Sequence, residues 1–293
     1  VTRTDAVSGP PIRCERLVKI YPAASGETHA LRGVEASFTA GSVTAVTGPS
    51  GSGKSSLLGI LALQERQSGG ELWLLGGDVS TLGPGALRRL RRRSVAWVAQ
   101  RPTHSLYRHL SARDMVTQVA ELRRPGTAGT AAMDGLERVG LADRAGARTA
   151  ELSGGEQQRL AVAAAVMGTP AILIADEPTA ELDDVSAELV LAELRRCAAA
   201  GSCILLATHD ARVVAAAHRE LHLRHGVLSS DQRGDGPAGA AIDSTGRLQL
   251  PPAALAMFPT GRAIVELLDA EVRLRPLPPD GPRPDAHSPW ASA

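Results

Sequence analysis

The sequence predicts an α/β fold built on a mostly parallel sheet, and three observations carry the prediction. An apolar, β-branched run, Val43 to Thr47, enters a glycine-rich loop and then a helical apolar pattern from Ser55 to Leu63. A second run, Ala171 to Ala175, is nearly all apolar and ends abruptly in Asp176 and Glu177. Such a run reads as a strand buried on both faces of a parallel sheet. Strand-like runs at 171–175 and 203–207 alternate with helical segments at Ser186–Ala200 and Ala211–Ala217, the pattern of a sheet with helices on its faces.

In chain order, residues 1–11 are polar and expected to be flexible. Residues 12–47 alternate apolar and polar and read as strands, turning at Gly41-Ser42. After the loop and its helix come a strand at Glu71–Leu75, a turn at Gly76-Gly77-Asp78, a short helix over 84–93 and a strand at Ser94–Ala99. A mostly helical block follows, about 101–167, with helices at Arg113–Leu122 and Ala131–Val139. It ends in a helix that Ser153 has the chemistry to cap and that should run through Val166. Glu220–Leu223 reads as a strand before a turn at Gly226.

The loop is Gly48-Pro49-Ser50-Gly51-Ser52-Gly53-Lys54-Ser55, glycines followed by a lysine and a hydroxyl. The glycines let successive N–H groups point inward at phosphate oxygens, and the following helix adds its positive end. Lys54 is expected to reach the β- and γ-phosphates and Ser55 to bind Mg²⁺. The chain has two lysines, Lys19 and Lys54, with arginine used elsewhere, which argues for a compact point charge here. A chance glycine-rich turn would not require the flanking strand and helix.

Ligands of parallel sheets bind beyond the carboxyl ends of the strands. Two acids there are costly without a cation, so Asp176 is assigned to the Mg²⁺ shell and Glu177 to a general base acting on water. An acidic helix N-terminus is the alternative that Pro178 and Thr179 leave open. Leu152-Ser153-Gly154-Gly155-Glu156-Gln157-Gln158-Arg159 offers a second anion-binding helix end. One ATP does not need two, so the economical explanation gives this one to an ATP held by another subunit. An ordinary capped helix is the alternative.

With these motifs in place, the chain resembles an ATP-binding cassette (ABC) nucleotide-binding domain over about residues 12–228. Gly48–Ser55 matches its Walker A motif, Leu152–Arg159 its signature and Ile172–Glu177 its Walker B. The resemblance implies a P-loop NTPase of the ABC type, with an N-terminal antiparallel β subdomain and the helical block as an insertion. It implies that Gln100 contacts Mg²⁺ and the attacking water, that Asp183 in Ala180–Asp183 lies at a subunit interface, that His209 bonds the γ-phosphate, and that Tyr21 stacks on adenine. The neighbour Ser56, and Ser153, Gly154, Gly155 and Glu156 across the interface, complete the nucleotide-binding set. Each also has a bland reading: a strand-end glutamine, a helix cap at His209-Asp210, an aromatic core anchor. Within the superfamily, Val18–Tyr21, Gly26–Val34 and Asp176–Thr179 resemble the macrolide-exporter and lipoprotein-release branch, although Ser56 stands where that branch usually has Thr.

The implied function is an ATPase subunit: two copies sandwich ATP, and their closure drives separate transmembrane permease subunits from the cytoplasmic face of the membrane. A cell-division type of ABC ATPase, signalling or transmitting force without moving a solute, is the alternative. A soluble DNA-associated ABC ATPase is disfavoured, because no long coiled coil, zinc module or tandem cassette is evident.

Composition agrees. Lys and Arg total 32 against 31 Asp and Glu, a net charge of +1, so no polyanionic partner is implied. Three cysteines at unrelated spacings suit a reducing compartment. Neither a signal peptide nor a membrane-spanning apolar stretch is read. Arg88, Arg89, Arg91, Arg92 and Arg93 read as a solvated helix face, with anionic lipid or a membrane subunit as the next option and nucleic acid third. His218, His222 and His225 would not share one strand face, which argues against a metal site.

Residues 229–240, rich in Gly, Ser, Asp and Pro, read as a linker. Beyond them, Ile242–Pro251 reads as a strand, Pro252–Phe258 as a helical turn, and Ala263–Leu267 with Val272–Arg275 as a hairpin. This 241–276 segment resembles the swapped-hairpin module of bacterial transition-state regulators. It is too short to bury much core alone, so pairing with a second copy is expected. Its balanced charges argue against DNA. The Pro-rich end, 277–293, is expected to be disordered.

Overall fold

The structure is a computed structural model describing residues 9–23, 26–126, 128–234, 239–240, 242, 248, 250, 252–269 and 271–277. The expected flexible residues 1–8, most of Ile242–Pro251 and the end from 278 lie outside them. The chain divides into two compact units, one up to residue 248 and one from 249.

The first unit opens with β1 (Ile12–Ala23) and β2 (Gly26–Phe38), a long antiparallel pair, followed by β3 (Val43–Thr47) and α1 (Lys54–Leu61). Then come β4 (Gly69–Leu74), β5 (Gly77–Asp78), α2 (Pro84–Ser94) and β6 (Val95–Val98). The expected turn at 76–78 is therefore tighter, since Gly77 and Asp78 pair with Leu74 and Trp73. The helical insertion is α3 (Ala112–Arg123), α4 (Ala128–Arg138) and α5 (Gly154–Val166). The chain returns through β7 (Ile172–Asp176), α6 (Asp184–Ala199), β8 (Cys203–Ala207), α7 (Ala211–Ala215), β9 (Arg219–Arg224), β10 (Val227–Arg233) and β11 (Gly239–Ala240).

Two sheets result. An antiparallel one runs in the order β2-β1-β4-β5, and a seven-stranded one in the order β11-β10-β9-β3-β8-β7-β6. In the larger sheet β6, β7, β8, β3 and β9 are parallel. All five residues of β3, of β7 and of β8 are buried, because the sheet is covered on both faces. Leu173, Ala175, Ile204 and Leu206 join the core of the inserted helices and α6. Their neighbours Ile172, Ile174, Cys203 and Leu205 join a second core with α1 and the antiparallel sheet. The apolar runs that looked unpatterned in sequence are thus two alternating sets facing opposite ways. Helix α5 is buried from Leu160 through Val166, apolar all round as an interior helix must be. The three cysteines are buried, and burial pushes the thiols of Cys14 and Cys203 up to about 12, so they pack as small apolar groups.

The structure differs from the linker expected at Ser229. The chain stays in strand through Arg233, pairing with β9 from Val227↔Arg224 to Arg233↔Arg219. Both guanidinium nitrogens, Nε and Nη2, of Arg219 lie 2.7 Å from Asp231 carboxylate oxygens and clamp the pair. A polar run of Ser, Asp, Gln and Arg reads as loop by composition, yet near a sheet edge half its side chains meet water anyway. The histidines serve separately: His218 Nδ1 accepts from the Val43 N–H at 3.0 Å, His222 Nδ1 lies 3.0 Å from Thr47 Oγ1, and His225 sits in the turn at φ 51°. Among the described residues no group of three His, Cys, Asp or Glu is placed to hold a metal, and no helix is long and apolar enough to cross a membrane.

In the second unit, α8 (Pro252–Leu255) precedes an antiparallel hairpin of β12 (Ala263–Leu268) and β13 (Glu271–Pro276).

Candidate functional site

Parallel strands put their carboxyl ends on one edge, and here that edge collects the chemistry. Gly48 follows β3, Gln100 follows β6, Asp176 ends β7 and His209 follows β8. They border a cleft of about 610 Å³.

The loop after β3 can be made only with glycine at two places. At Gly48 (φ 140°) a Cβ would lie 2.1 Å from the Leu223 carbonyl oxygen, and at Gly53 (φ 104°) 2.3 Å from that of Ala30. Gly53 also caps α1, so the helix begins at Lys54 with its free N–H groups facing the cleft side of the loop. The Lys54 ammonium donates to the carbonyls of Gly48 (2.7 Å) and Pro49 (3.0 Å). Ser52 Oγ is buried inside the loop without a protein partner.

On the opposite wall, burial holds the Asp176 carboxyl above its ordinary range. A hydrogen bond from Ser55 opposes this, the charge of Glu177 adds to it, and Lys54 opposes it. Glu177 takes a left-handed backbone (φ 51°) and donates its N–H to the Ala207 carbonyl at 3.0 Å, which fixes its side chain against the end of β8. Its Oε1 lies 2.9 Å from His209 Nδ1. Gln158, buried on α5, donates to the Pro178 carbonyl at 3.2 Å and ties the inserted helix to this turn.

Of the residues expected from sequence, the cleft brings together Gly48, Ser50, Gly51, Gly53, Lys54, Ser55, Ser56, Gln100, Asp176, Glu177 and His209. Pro49 and Ser52 belong to the loop without lining the cleft. Tyr21 does not line it either: its hydroxyl bonds Glu65 and Ser56, and Lys19 lies over its ring. Its cross-strand partner Thr28 does line the cleft, with His29 and Ala30. These three were missed as site residues, since a strand register decides which of them face inward.

Ser153, Gly154, Gly155 and Glu156 lie outside the cleft of their own chain. Ser153 Oγ accepts from the Glu156 N–H at 3.3 Å, and Glu156 Oε2 accepts from the Ser153 N–H at 2.8 Å, a capping box at the start of α5. That bond from the Ser153 backbone holds the Glu156 carboxyl below its usual range. Ser153 and Gly154 are exposed, and a Cβ at Gly154 would meet open space. Asp183 caps α6, accepting from Ser186 N–H at 2.8 Å, which lowers its pKa. A convergent set of N–H groups, one ammonium and a buried acid suits a polyphosphate with a divalent cation.

Comparison with known proteins agrees. The ABC transporter family model matches residues 31–180, half of the chain. The macrolide export ATP-binding/permease protein MacB 1/2 of Paracoccus denitrificans is 39% identical over 231 residues, 78% of this chain and 34% of that protein. MacB of an Escherichia coli strain is 35% identical over 240 residues, 81% of this chain and 36% of its own length. The chain thus spans about a third of the length of these curated relatives. A dimeric ATP-binding cassette solved in a post-hydrolysis state with ADP and Pi superposes with a TM-score of 0.72 at 27% identity, covering 77% of this chain and all of that one. The cbiO1 protein of Clostridium perfringens, part of the ABC transporter complex cbiONQ, gives 0.65 at 26% identity over 77% and 89% of the two chains. With a mostly parallel sheet, an antiparallel β subdomain and an inserted helical block around one loop-lined cleft, the chain belongs to the ABC transporter family and carries its ATP-binding cassette.

Proposed function

We propose that the chain is the ATP-hydrolysing subunit of an ABC transporter, acting as two copies that sandwich ATP and drive a transmembrane permease from the cytoplasmic face of the membrane. The observation that carries this reading is the divided site. None of Ser153, Gly154, Gly155 and Glu156 lines the P-loop cleft of its own chain, and the capped N-terminus of α5 lies outside that cleft. The relatives named as exporters join ATP-binding and permease parts in one protein, which supports a membrane partner here.

Lys54 and the N–H groups of the P-loop hold the triphosphate, and the N-terminus of α5 from the second copy completes its coordination. Tyr21, across the strand ladder from the cleft-lining Thr28, is the residue proposed to stack on the base. Ser55, Asp176 and Gln100 would hold Mg²⁺. The residues fit such an ion, because a buried carboxylate beside a hydroxyl is costly by itself and is relieved by a cation. The ion would supply charge neutralisation between the β- and γ-phosphates. Glu177 orients water and takes its proton as the water oxygen bonds to the γ-phosphorus. The bond from that phosphorus to the β-bridging oxygen breaks, and ADP leaves. His209, now paired with Glu177, moves onto the γ-phosphate when that group arrives, freeing the carboxylate for water. Glu177→Gln should bind ATP and pair normally while losing at least about 100-fold in hydrolysis. A turnover assay beside size-exclusion chromatography measures both, and near-normal turnover would remove Glu177 from the base role.

The hairpin supports a second contact between copies. Ala263, Val265 and Leu267 pair across to Pro276, Leu274 and Val272, so one face is entirely apolar. Val265, Leu267 and Val272 are 58%, 63% and 66% exposed. The other face mixes Glu266, Arg273, Arg275 and Glu271 with Ile264 and Leu268, and Arg275 lies 3.3 Å from Glu266, a balanced set of charges that does not suit a nucleic-acid backbone. An isolated two-stranded hairpin is marginal in water, and a matching face on a second copy would cover it. Deleting 241–276 should weaken nucleotide-free self-association in analytical ultracentrifugation; unchanged association would rule the hairpin out as the link.

A further inference from the structure

We propose that Glu65 and Lys19 form a bracket that sets the ring of Tyr21 in the plane a purine needs, Glu65 acting as a positioning residue for nucleotide binding. The inference rests on the nucleotide reading of the cleft. Tyr21 stands on β1 directly across the ladder from Thr28 at the cleft's rim. Its hydroxyl lies 2.5 Å from Glu65 Oε2 and 3.2 Å from Ser56 Oγ. A carboxylate only accepts, so the phenol proton goes to Glu65 and the phenol oxygen is left to accept from Ser56. Ser56 follows Lys54 and Ser55 on the first turn of α1. The ring is therefore tied to the same helical turn that would hold phosphate and metal.

Lys19, two residues earlier on the same strand, closes the other side. Its ammonium lies 3.0 Å from Glu65 Oε2, 2.8 Å from the Arg66 carbonyl and 4.7 Å from the Tyr21 ring centroid. One ring face is thus already occupied by a cation, and a base can stack only on the opposite face. The Lys19 ammonium thus meets a carboxylate, a carbonyl and a ring face at once, as a compact point charge with three rotatable donors can. Gly59 on α1 leaves room for the carboxylate, since a Cβ there would lie 3.0 Å from Glu65 Oε1. A ring ordered before binding spares the ligand the entropy of ordering it.

The test compares binding of ATP and of inorganic tripolyphosphate, both with Mg²⁺, and steady-state hydrolysis, using the full chain. Glu65→Ala is expected to raise KM and Kd for ATP roughly tenfold. Its kcat and its tripolyphosphate affinity should stay as in the unaltered chain. Glu65→Gln, which still accepts the phenol proton, should recover most of the loss. Lys19→Met should show the same base-only loss and serves if Glu65→Ala fails to fold. Wild-type ATP affinity in the variants, or an equal loss for tripolyphosphate, overturns the bracket. Failure of the unaltered chain to bind either ligand removes the nucleotide reading, and the proposal with it.

Discussion

The neighbours of Asp176 do not fully offset its burial. Burial is the largest influence on its raised pKa, and the Ser55 hydrogen bond offsets only part of it. A raised folded-state pKa means the ionised acid costs stability. That cost is fully present above the folded pKa and is relieved as pH falls through it. Asp176→Asn should therefore raise the stability of the nucleotide-free protein. It should at the same time abolish the melting-temperature gain from Mg²⁺ and ATP. Thermal melts with and without the ligand separate the two effects, and a variant less stable without nucleotide contradicts the burial argument. At this scale the lining of the cleft was largely legible, because residues of Gly48–Ser55 with Asp176 and Glu177 carry types and spacings that few other uses explain. Glu65 and Lys19 were not, because their roles arise from a contact between β1 and the segment after α1, 46 residues apart, that no local pattern announces.

Among the elements, α4 and α6 are joined by an ion pair on a buried carboxylate. Glu193 on α6 is 2% exposed and accepts from Arg138 of α4 at 3.0 Å and from Arg196 at 2.7 Å. Burial pushes its carboxyl up, but the Arg196 hydrogen bonds and the charges of Arg196 and Arg138 outweigh it and hold the pKa below the usual range. A depressed folded pKa gives stability that is present above the unfolded value and lost as pH falls through the folded one. Glu193→Gln should cost about 2 kcal/mol near neutral pH. The deficit should shrink in acid, where the native glutamate is protonated as well. Urea denaturation at neutral and acidic pH tests this, and a deficit independent of pH would assign the cost to packing. Strands buried on both faces and helices with clear periodicity were readable from the sequence. Strand β10, one in from the sheet edge, was not, since its row is polar and its register is set by pairing with β9.

For the whole molecule, the divided site makes a prediction that folding alone does not. Gly154 has open space where a Cβ would stand, and an acid at a helix N-terminus is favourable within one chain. Gly154→Asp should therefore leave stability within about 0.5 kcal/mol of the parent. It should still suppress hydrolysis, by placing a negative charge against the partner's triphosphate. Mixing Gly154→Asp with Lys54→Ala should restore part of the activity, because a mixed pair keeps one intact site. If the mixture stays as inactive as each variant alone, the two-copy site is wrong. The proposal of a second copy starts from the sequence, which offers two anion-binding helix ends for one nucleotide.

The scarcity of lysine has a practical sequel. The chain's two lysine ammoniums lie over the Tyr21 ring and inside the P-loop, and Tyr21 is bonded to Ser56 on the helix that follows that loop. Acylating reagents that seek primary amines would thus act as reporters of that single locale, and protection by ATP could be followed by mass spectrometry without any engineered label.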